Sequence, residues 1–311
     1  TVDISEKTLS EQLVTCIHQS KRAGHALEKW EFLKDYKYSV IFTCDDFSST
    51  LKKAKEIIPL ENTYENDYLY TSFVKPVAYS MDGYYFLKFN LAYAAIHPLT
   101  QEEFLTKYPF LVVFHEKGEL IEFRFDVLKR VFLSDKKEPT IYSNLIAEMS
   151  DYFKEHFECD LIPLNLDFMV NVCKRDENVK LIAQSMKLPN GGNAQLDVGN
   201  NQEYILPFIG ELRSLLNDNQ AELEKVPDFR EALEQFMFEM EEMSDYPWIE
   251  LLWENEIKTR SNRVKFVFNY MNKSYCLIQY YYSNVLIGME RMNYVIEYIV
   301  NHRNDDTTQN E

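Results

Sequence analysis

Between Pro109 and Asp126 the chain reads PFLVVFHEKGELIEFRFD. Phe110 to Phe114 are apolar without a break, the pattern of a strand buried on both faces. Glu116-Lys117-Gly118-Glu119 supplies a turn, and the return segment alternates. Ile121, Phe123 and Phe125 point inward; Glu122, Arg124 and Asp126 point outward. The same logic predicts three more hairpins. DYLYTSFVKPVAYS and YYFLKFNLAYAAIH flank Met81-Asp82-Gly83 within residues 67–97, with Pro76 placing the first strand at a sheet edge or bulge. Residues 178–199 turn at Asn190-Gly191-Gly192-Asn193, and residues 263–282 contain the last pair. YKYSVIFTC (36–44) reads as a further strand.

Three- and four-residue spacing predicts helices elsewhere. One covers residues 7–20 through Leu9, Leu13 and Ile17. A second follows a cap at Asp45 or Ser48. A third covers 140–157 with Ile141, Leu145, Met149, Tyr152 and Phe153 as its stripe. Others span 164–174, 203–217 and 228–243. The last of these has Pro227 in its first turn and Phe229, Leu233, Phe236, Met240 and Met243 on one side. A closing helix carries Met289, Met292, Ile296, Ile299 and Val300 to about Asn301, and NDDTTQNE reads as a disordered tail. WIELLWEN (248–255) fits either element. The expected fold class is α+β: two packed lobes with mostly antiparallel sheets and amphipathic helices. The expected division is an N-terminal domain over 1–160 and a C-terminal domain over 161–311, the latter with acidic helices and a basic hairpin.

Length and composition then remove several classes of function. At 311 residues and 46% hydrophobic content, there is material for one large core or two domains. Only eight residues are glycine, and none falls in GxGxxG, GxxxxGK[ST] or GxSxG. Without them a dinucleotide fingerprint, a P-loop and a hydrolase nucleophile elbow are unsupported. Five widely spaced cysteines (Cys16, Cys44, Cys159, Cys173, Cys276) do not suggest a disulfide framework, and read as buried apolar thiols in a reducing compartment. No HExxH or CxxC pattern suggests zinc. No apolar run reaches membrane-spanning length and the polar N-terminus lacks a signal-peptide core, so a soluble cytoplasmic protein is expected. Abundant Lys, Asn, Ile, Tyr and Phe with little Gly fit an AT-rich microbial or phage genome.

The net charge of −17 repels nucleic acid and anionic membranes unless a local patch overrides it. Charge is sorted along the chain. Residues 211–256 hold 14 acidic and three basic residues, net −11; residues 258–303 hold seven basic and two acidic, net +5. Either the acidic helices lie beside the basic hairpin and the fields cancel, or the hairpin faces outward toward a partner. In the second case Lys258, Arg260, Arg263, Lys265 and Lys273 are the contact cations. The run Tyr280-Tyr281-Tyr282 belongs to the same hairpin. Strand alternation puts Tyr280 and Tyr282 with Cys276 and Ile278 in the core, and leaves Tyr281 as the candidate stacking side chain.

Three further patterns carry chemistry. Asp245, Glu256 and Lys258 read D-x10-E-x-K, which resembles the PD-(D/E)xK nuclease signature. That resemblance implies Mg²⁺ on Asp245 and Glu256 and a water-positioning Lys258. The apolar strand that normally presents such a triplet is missing, and a chain with 50 acidic residues matches by chance easily. His97 and His115 both end apolar strands and would meet near Glu116 as an acid–base pair, although strand-end histidines more commonly bond backbone. EQFMFEMEEM (234–243) suits an adaptable partner helix or, more often, core; Phe238 lies off its stripe, as in a helix buried on more than one side or at an oligomer contact. Together these features predict a non-enzymatic interaction protein. It would bind a macromolecule through its C-terminal half, a protein sooner than a nucleic acid, with a homodimer as one form. The alternative is a Mg²⁺-dependent nuclease or nucleic-acid-processing enzyme. A third reading is a small-molecule sensor with a pocket between the lobes.

Overall fold

The structure, a computed structural model, describes residues 21–57, 69–96, 101–132, 140–176, 178–187, 193–197, 215–242, 245–254, 261–281 and 288–303, with positions 8, 12 and 212. The helix expected over 7–20, most of that over 203–217, the hairpin tip at 190–192 and the tail lie outside the described residues. The chain is a mixed α+β protein with antiparallel strand pairing. In order it runs α1 (Lys21–Leu33), β1 (Tyr38–Thr43), α2 (Phe47–Ala54), β2 (Val77–Met81), β3 (Tyr84–Ile96), β4 (Glu103–His115), β5 (Leu120–Phe125), α3 (Ile141–Phe157) and β6 (Ile162–Pro163). There follow α4 (Met169–Arg175), β7 (Val179–Lys187), β8 (Asn193–Asp197), α5 (Gln220–Leu223), α6 (Pro227–Glu242), β9 (Asp245–Trp253), β10 (Asn262–Val267), β11 (Leu277–Tyr280) and α7 (Glu290–His302). It divides into two compact units, residues 1–164 with 286–300, and residues 165–285 with 301–311.

In the first unit the strand order is β2-β3-β4-β5-β1, and β6 pairs with β1. β3 and β4 pair along their whole length, from Tyr84 opposite His115 to Ile96 opposite Glu103. Gly83 closes the β2–β3 turn at φ +76°, a conformation that a Cβ disfavours. One face of this sheet is aromatic. Phe89 meets Tyr152 of α3 edge-to-face at 5.0 Å, and Phe114 and Phe123 flank Phe153 of the same helix. α2 adds Phe47 against Phe114. Its N-cap is Asp46, whose side chain accepts from the Ser49 amide. Each such large side chain, fully buried, stabilises by roughly 1.5–3 kcal/mol.

The opposite face departs from the pattern read in the sequence. Glu122 and Arg124 do point away from the aromatic core, but both are 0% exposed. α1 and α7 cover them. Phe32 of α1 packs on Phe86, Asn293 of α7 bonds Arg124, and the Tyr36 amide donates to Met292 Sδ at 3.2 Å. At Gly118 an added Cβ would come within 2.8 Å of Val300, so α7 runs close over the β4–β5 turn. α7 arrives from the far end of the chain, which a local alternation cannot report.

In the second unit the order is β11-β10-β9-β7-β8. The ambiguous segment is strand β9, paired with both β10 and β7. One face is core: Ile249, Leu251, Val264, Phe266, Ile278 and Tyr280 are buried. α6 contributes Met237 to a cluster with Met186, lined by Ala194, Leu212, Leu216 and Tyr246. The other face is half-exposed and carries the charged residues of β9 and β10.

Candidate functional site

Registers in the second unit bring six side chains onto that half-exposed face. β9 supplies Trp248 and Glu250, β10 supplies Arg263 and Lys265, and β11 and its continuation supply Gln279 and Tyr281. Lys265 stands opposite Glu250 on one side and Gln279 on the other. The Tyr281 amide donates to the Arg263 carbonyl at 3.1 Å, extending the pairing by one step.

Glu250 is the hub, and it is buried (4% exposed). Its Oε1 accepts from Arg263 Nε, and its Oε2 accepts from the Tyr281 hydroxyl at 3.0 Å. The Arg263 guanidinium lies over the Tyr281 ring, 4.7 Å from its centroid. Lys265 Nζ lies 3.6 Å from the centroid of the Trp248 ring. Burial lowers the Lys265 pKa, partly offset by Glu250. Burial and the Glu250 carboxylate both hold the Tyr281 phenol above its usual range. The result is a ladder of ring, cation, carboxylate, cation and ring. A carboxylate with both oxygens engaged is a poor general base. Two cation-capped rings instead give this face a mixed aromatic and charged character.

Of the side chains singled out as contacts, Arg263, Lys265 and Tyr281 come together here. Lys273 does not; it is exposed in the β10–β11 connection, just after a short turn over Tyr270–Asn272. Lys258 and Arg260 lie outside the described residues. Arg263 is bonded to Glu250, a member of the acidic stretch directly upstream, so this part of the sorted charge cancels within the unit. Trp248 and Glu250 were not singled out. Their signal was the alternation of Trp248, Glu250 and Leu252 against Ile249, Leu251 and Trp253, obscured because apolar residues occupy both faces.

The other candidates separate. Asp245 is exposed at the start of β9, while Glu256 and Lys258 lie outside the described residues. Among the described residues no group of three or more His, Cys, Asp or Glu is placed to hold a metal ion. His97 also lies outside them. His115 is buried, with Nε2 2.8 Å from Glu122 Oε2 and not beside Glu116; burial lowers its pKa. Tyr280 is fully buried, as alternation predicts, and Tyr282 is outside the described residues. On α6, Phe229 and Phe236 are exposed, two turns apart.

A second charged assembly, in the first unit, is sealed instead of half-open. Arg124 donates to Glu122 through Nε at 2.8 Å and to Asn293 Oδ1 through Nη2 at 2.7 Å. Nearby, Lys88 is fully buried and bonds Glu31 at 2.6 Å and Glu28 at 2.5 Å. Lys107 bonds the same two carboxylates. The lysine–glutamate pairs fasten α1 to β3 and β4, and Arg124 with Asn293 fastens α7 to β5.

No family model matches this sequence, and no curated protein matches it. No helix among the described residues is long and apolar enough to cross a membrane.

Proposed function

We propose that the chain is a non-enzymatic interaction protein that holds a protein partner on the Trp248–Glu250–Arg263–Lys265–Tyr281 face of its C-terminal half. The observation behind this reading is the pair of cation-capped rings, Lys265 over Trp248 and Arg263 over Tyr281, on one half-exposed face; the internal pairing of Arg263 with Glu250 removes part of the positive charge and weighs against nucleic acid. A surface that tracks a phosphate backbone needs several cations free to displace counterions. Here two cations face one carboxylate, leaving a net charge near +1 on a face dominated by two aromatic rings. Trp, Tyr and Arg are the residues whose truncation costs most at protein interfaces. Their pre-set geometry also reduces the ordering entropy lost on binding. The partner segment complementary to this face would pair an apolar anchor with one or two carboxylates.

A photo-crosslinking residue placed at Gln279, on the same face but outside the ladder, tests this in the source cells. The expected result is an adduct destroyed by protease and not by nuclease. It should be lost on Trp248→Ala and on Arg263→Glu, and kept in the Phe229→Ser/Phe236→Ser variant of α6. An adduct at twice the chain's own mass would make the partner a second copy. A nuclease-sensitive adduct, or one unaffected by Trp248→Ala, overturns the reading.

A further inference from the structure

α6 carries more apolar surface than the fold covers. Helical spacing gathers Phe229, Ala232, Leu233, Phe236 and Met237 into one broad stripe. Only one side of that stripe reaches the core. Met237 is 4% exposed and packs on Met186, and Leu233 is half-buried. The other side stands in water. Phe229 is 59% exposed and Phe236 48%. Ala232, one turn from each ring, is exposed as well, and so is Val226 where the chain enters the helix. A lone exposed phenylalanine is ordinary. Two of them seven residues apart, with a small residue in the gap to receive a facing side chain, match the anchor spacing of helix-on-helix docking.

The charge of the same helix decides what fits there. Asp228, Glu231, Glu234, Glu239, Glu241 and Glu242 stand against a single cation, Arg230. That cation is already engaged, its Nε donating to Glu234 at 2.8 Å. Asp228 and Glu231 are exposed. A nucleic acid or an anionic membrane is repelled by such a helix. A second copy laid α6 against α6 would set carboxylates against carboxylates. A segment with apolar anchors and cationic flanks meets both features. We propose that the exposed stripe of α6 docks a cationic amphipathic helix of a protein partner. Its apolar side chains would seat on Phe229, Ala232 and Phe236, and its lysines or arginines would reach Asp228 and Glu231. This surface is separate from the Trp248 face and asks for the opposite chemistry: cations in its partner, where the Trp248 face asks for carboxylates.

The test titrates the full chain into a fluorescein-labelled helical peptide built of Leu and Lys at amphipathic spacing, read by fluorescence anisotropy over a range of salt concentrations. Expected is saturable binding that tightens as salt falls. It should weaken about tenfold or more in the Phe229→Ser/Phe236→Ser variant. Ala232→Lys, which sets a cation in the stripe, should weaken it too. Asp228→Asn/Glu231→Gln should keep part of the affinity and flatten its salt dependence. These are exposed positions, and circular dichroism checks that each variant folds. A peptide of the same charge with Ser in place of Leu should bind about tenfold more weakly. Four results would overturn the proposal. One is no saturable binding of the Leu/Lys peptide up to about 100 μM. Another is undiminished binding by the Phe229→Ser/Phe236→Ser protein. A third is equal affinity for the Ser/Lys peptide or for a Leu/Glu peptide, which would leave charge alone or apolar contact alone. The last is a dimer by light scattering that the Phe229→Ser/Phe236→Ser variant makes monomeric, which would put a second copy on the stripe.

Discussion

Strands β5 and β10 carry almost the same pattern. LIEFRF places Glu122 and Arg124 between apolar residues; NRVKFV alternates Arg263 and Lys265 with Val264 and Phe266. In both, the apolar set enters a core. The charged sets meet different fates. On β5 they are fully buried beneath α7, joined to each other, to His115 and to Asn293. On β10 Arg263 keeps half of its side chain in water while bonding buried Glu250. Alternation therefore fixes which residues share a face, but not whether that face is wet. The physical consequence is large. A carboxylate and guanidinium removed from water depend on each other, because neither can be re-solvated when its partner is lost. On β10 only the cation can fall back on solvent; buried Glu250 retains the Tyr281 hydroxyl.

The sharpest way to break this comparison is to remove one cation from each assembly. Arg124→Met leaves Glu122 buried with His115 as its remaining partner, and should destabilise the protein by about 3–5 kcal/mol. Arg263→Met should cost less, since Arg263 is half in water and Glu250 keeps the Tyr281 hydroxyl as a partner. Urea unfolding monitored by circular dichroism measures both. Adding Glu122→Gln to Arg124→Met should recover much of the loss, since it is the orphaned charge that is costly. Equal losses in the two single variants would remove the distinction between sealed and half-open charge.

Acid should attack the sealed assembly first. Burial lowers the His115 pKa below its usual 6.5, the bonded Glu122 opposing this only in part. The unfolded chain therefore takes up its proton before the folded one. Stability from this group is complete above pH 6.5 and declines as pH falls toward the folded value. Glu122 and Glu28 are shifted the same way, because their cationic partners outweigh burial; each is held below the usual 4.5. Their contribution is lost at still lower pH. Thermal unfolding should thus weaken in two stages, below about pH 6.5 and below about pH 4.5. His115→Gln should abolish the first stage and leave the second.

How far these sites were legible follows from the range of the interactions that make them. The β4–β5 hairpin was readable because five consecutive apolar residues, a glycine turn and an alternating return lie within one short stretch. Tyr280 was placed in the core by the same local rule. The sealed layer was not readable, since its cover combines α1 with α7 from opposite ends of the chain. Nor does any spacing rule join Glu28 to Lys88 and Lys107. The ladder on β9 and β10 was half-legible. Its cations stood out as a basic run, but Glu250, the residue that neutralises Arg263, looked like one more acid in an acidic segment. Cross-strand register decides that pairing, and the connection between β9 and β10 hides it from any short-range pattern.

Within the half-open ladder, Glu250→Gln should cost about 1 kcal/mol, the net worth of a typical hydrogen-bonded contact. It should also lower the alkaline titration of the Tyr281 phenol, whose upward shift owes part of its size to that carboxylate. A difference between wild type and the variant in ultraviolet absorbance above pH 9 reports it.

The smallest expected effect is the most discriminating for the proposed interface. Lys265→Met keeps the aliphatic stem over Trp248 and removes only the ammonium 3.6 Å from the ring. A cation–π contact at a partly exposed site contributes about 0.5–1 kcal/mol, so stability should barely change. The Trp248 emission should shift and lose its dependence on salt, because the nearby charge is gone. Binding should respond differently from the Arg263 variant. Loss of Lys265 should weaken the partner about tenfold or less, with a shallower salt dependence, as removal of a rim charge does. Arg263→Glu should abolish binding by disturbing Glu250 and Tyr281 together. If Lys265→Met proved as damaging as Arg263→Glu, the face would be acting through positive charge alone, and the aromatic ladder would not be what the partner reads.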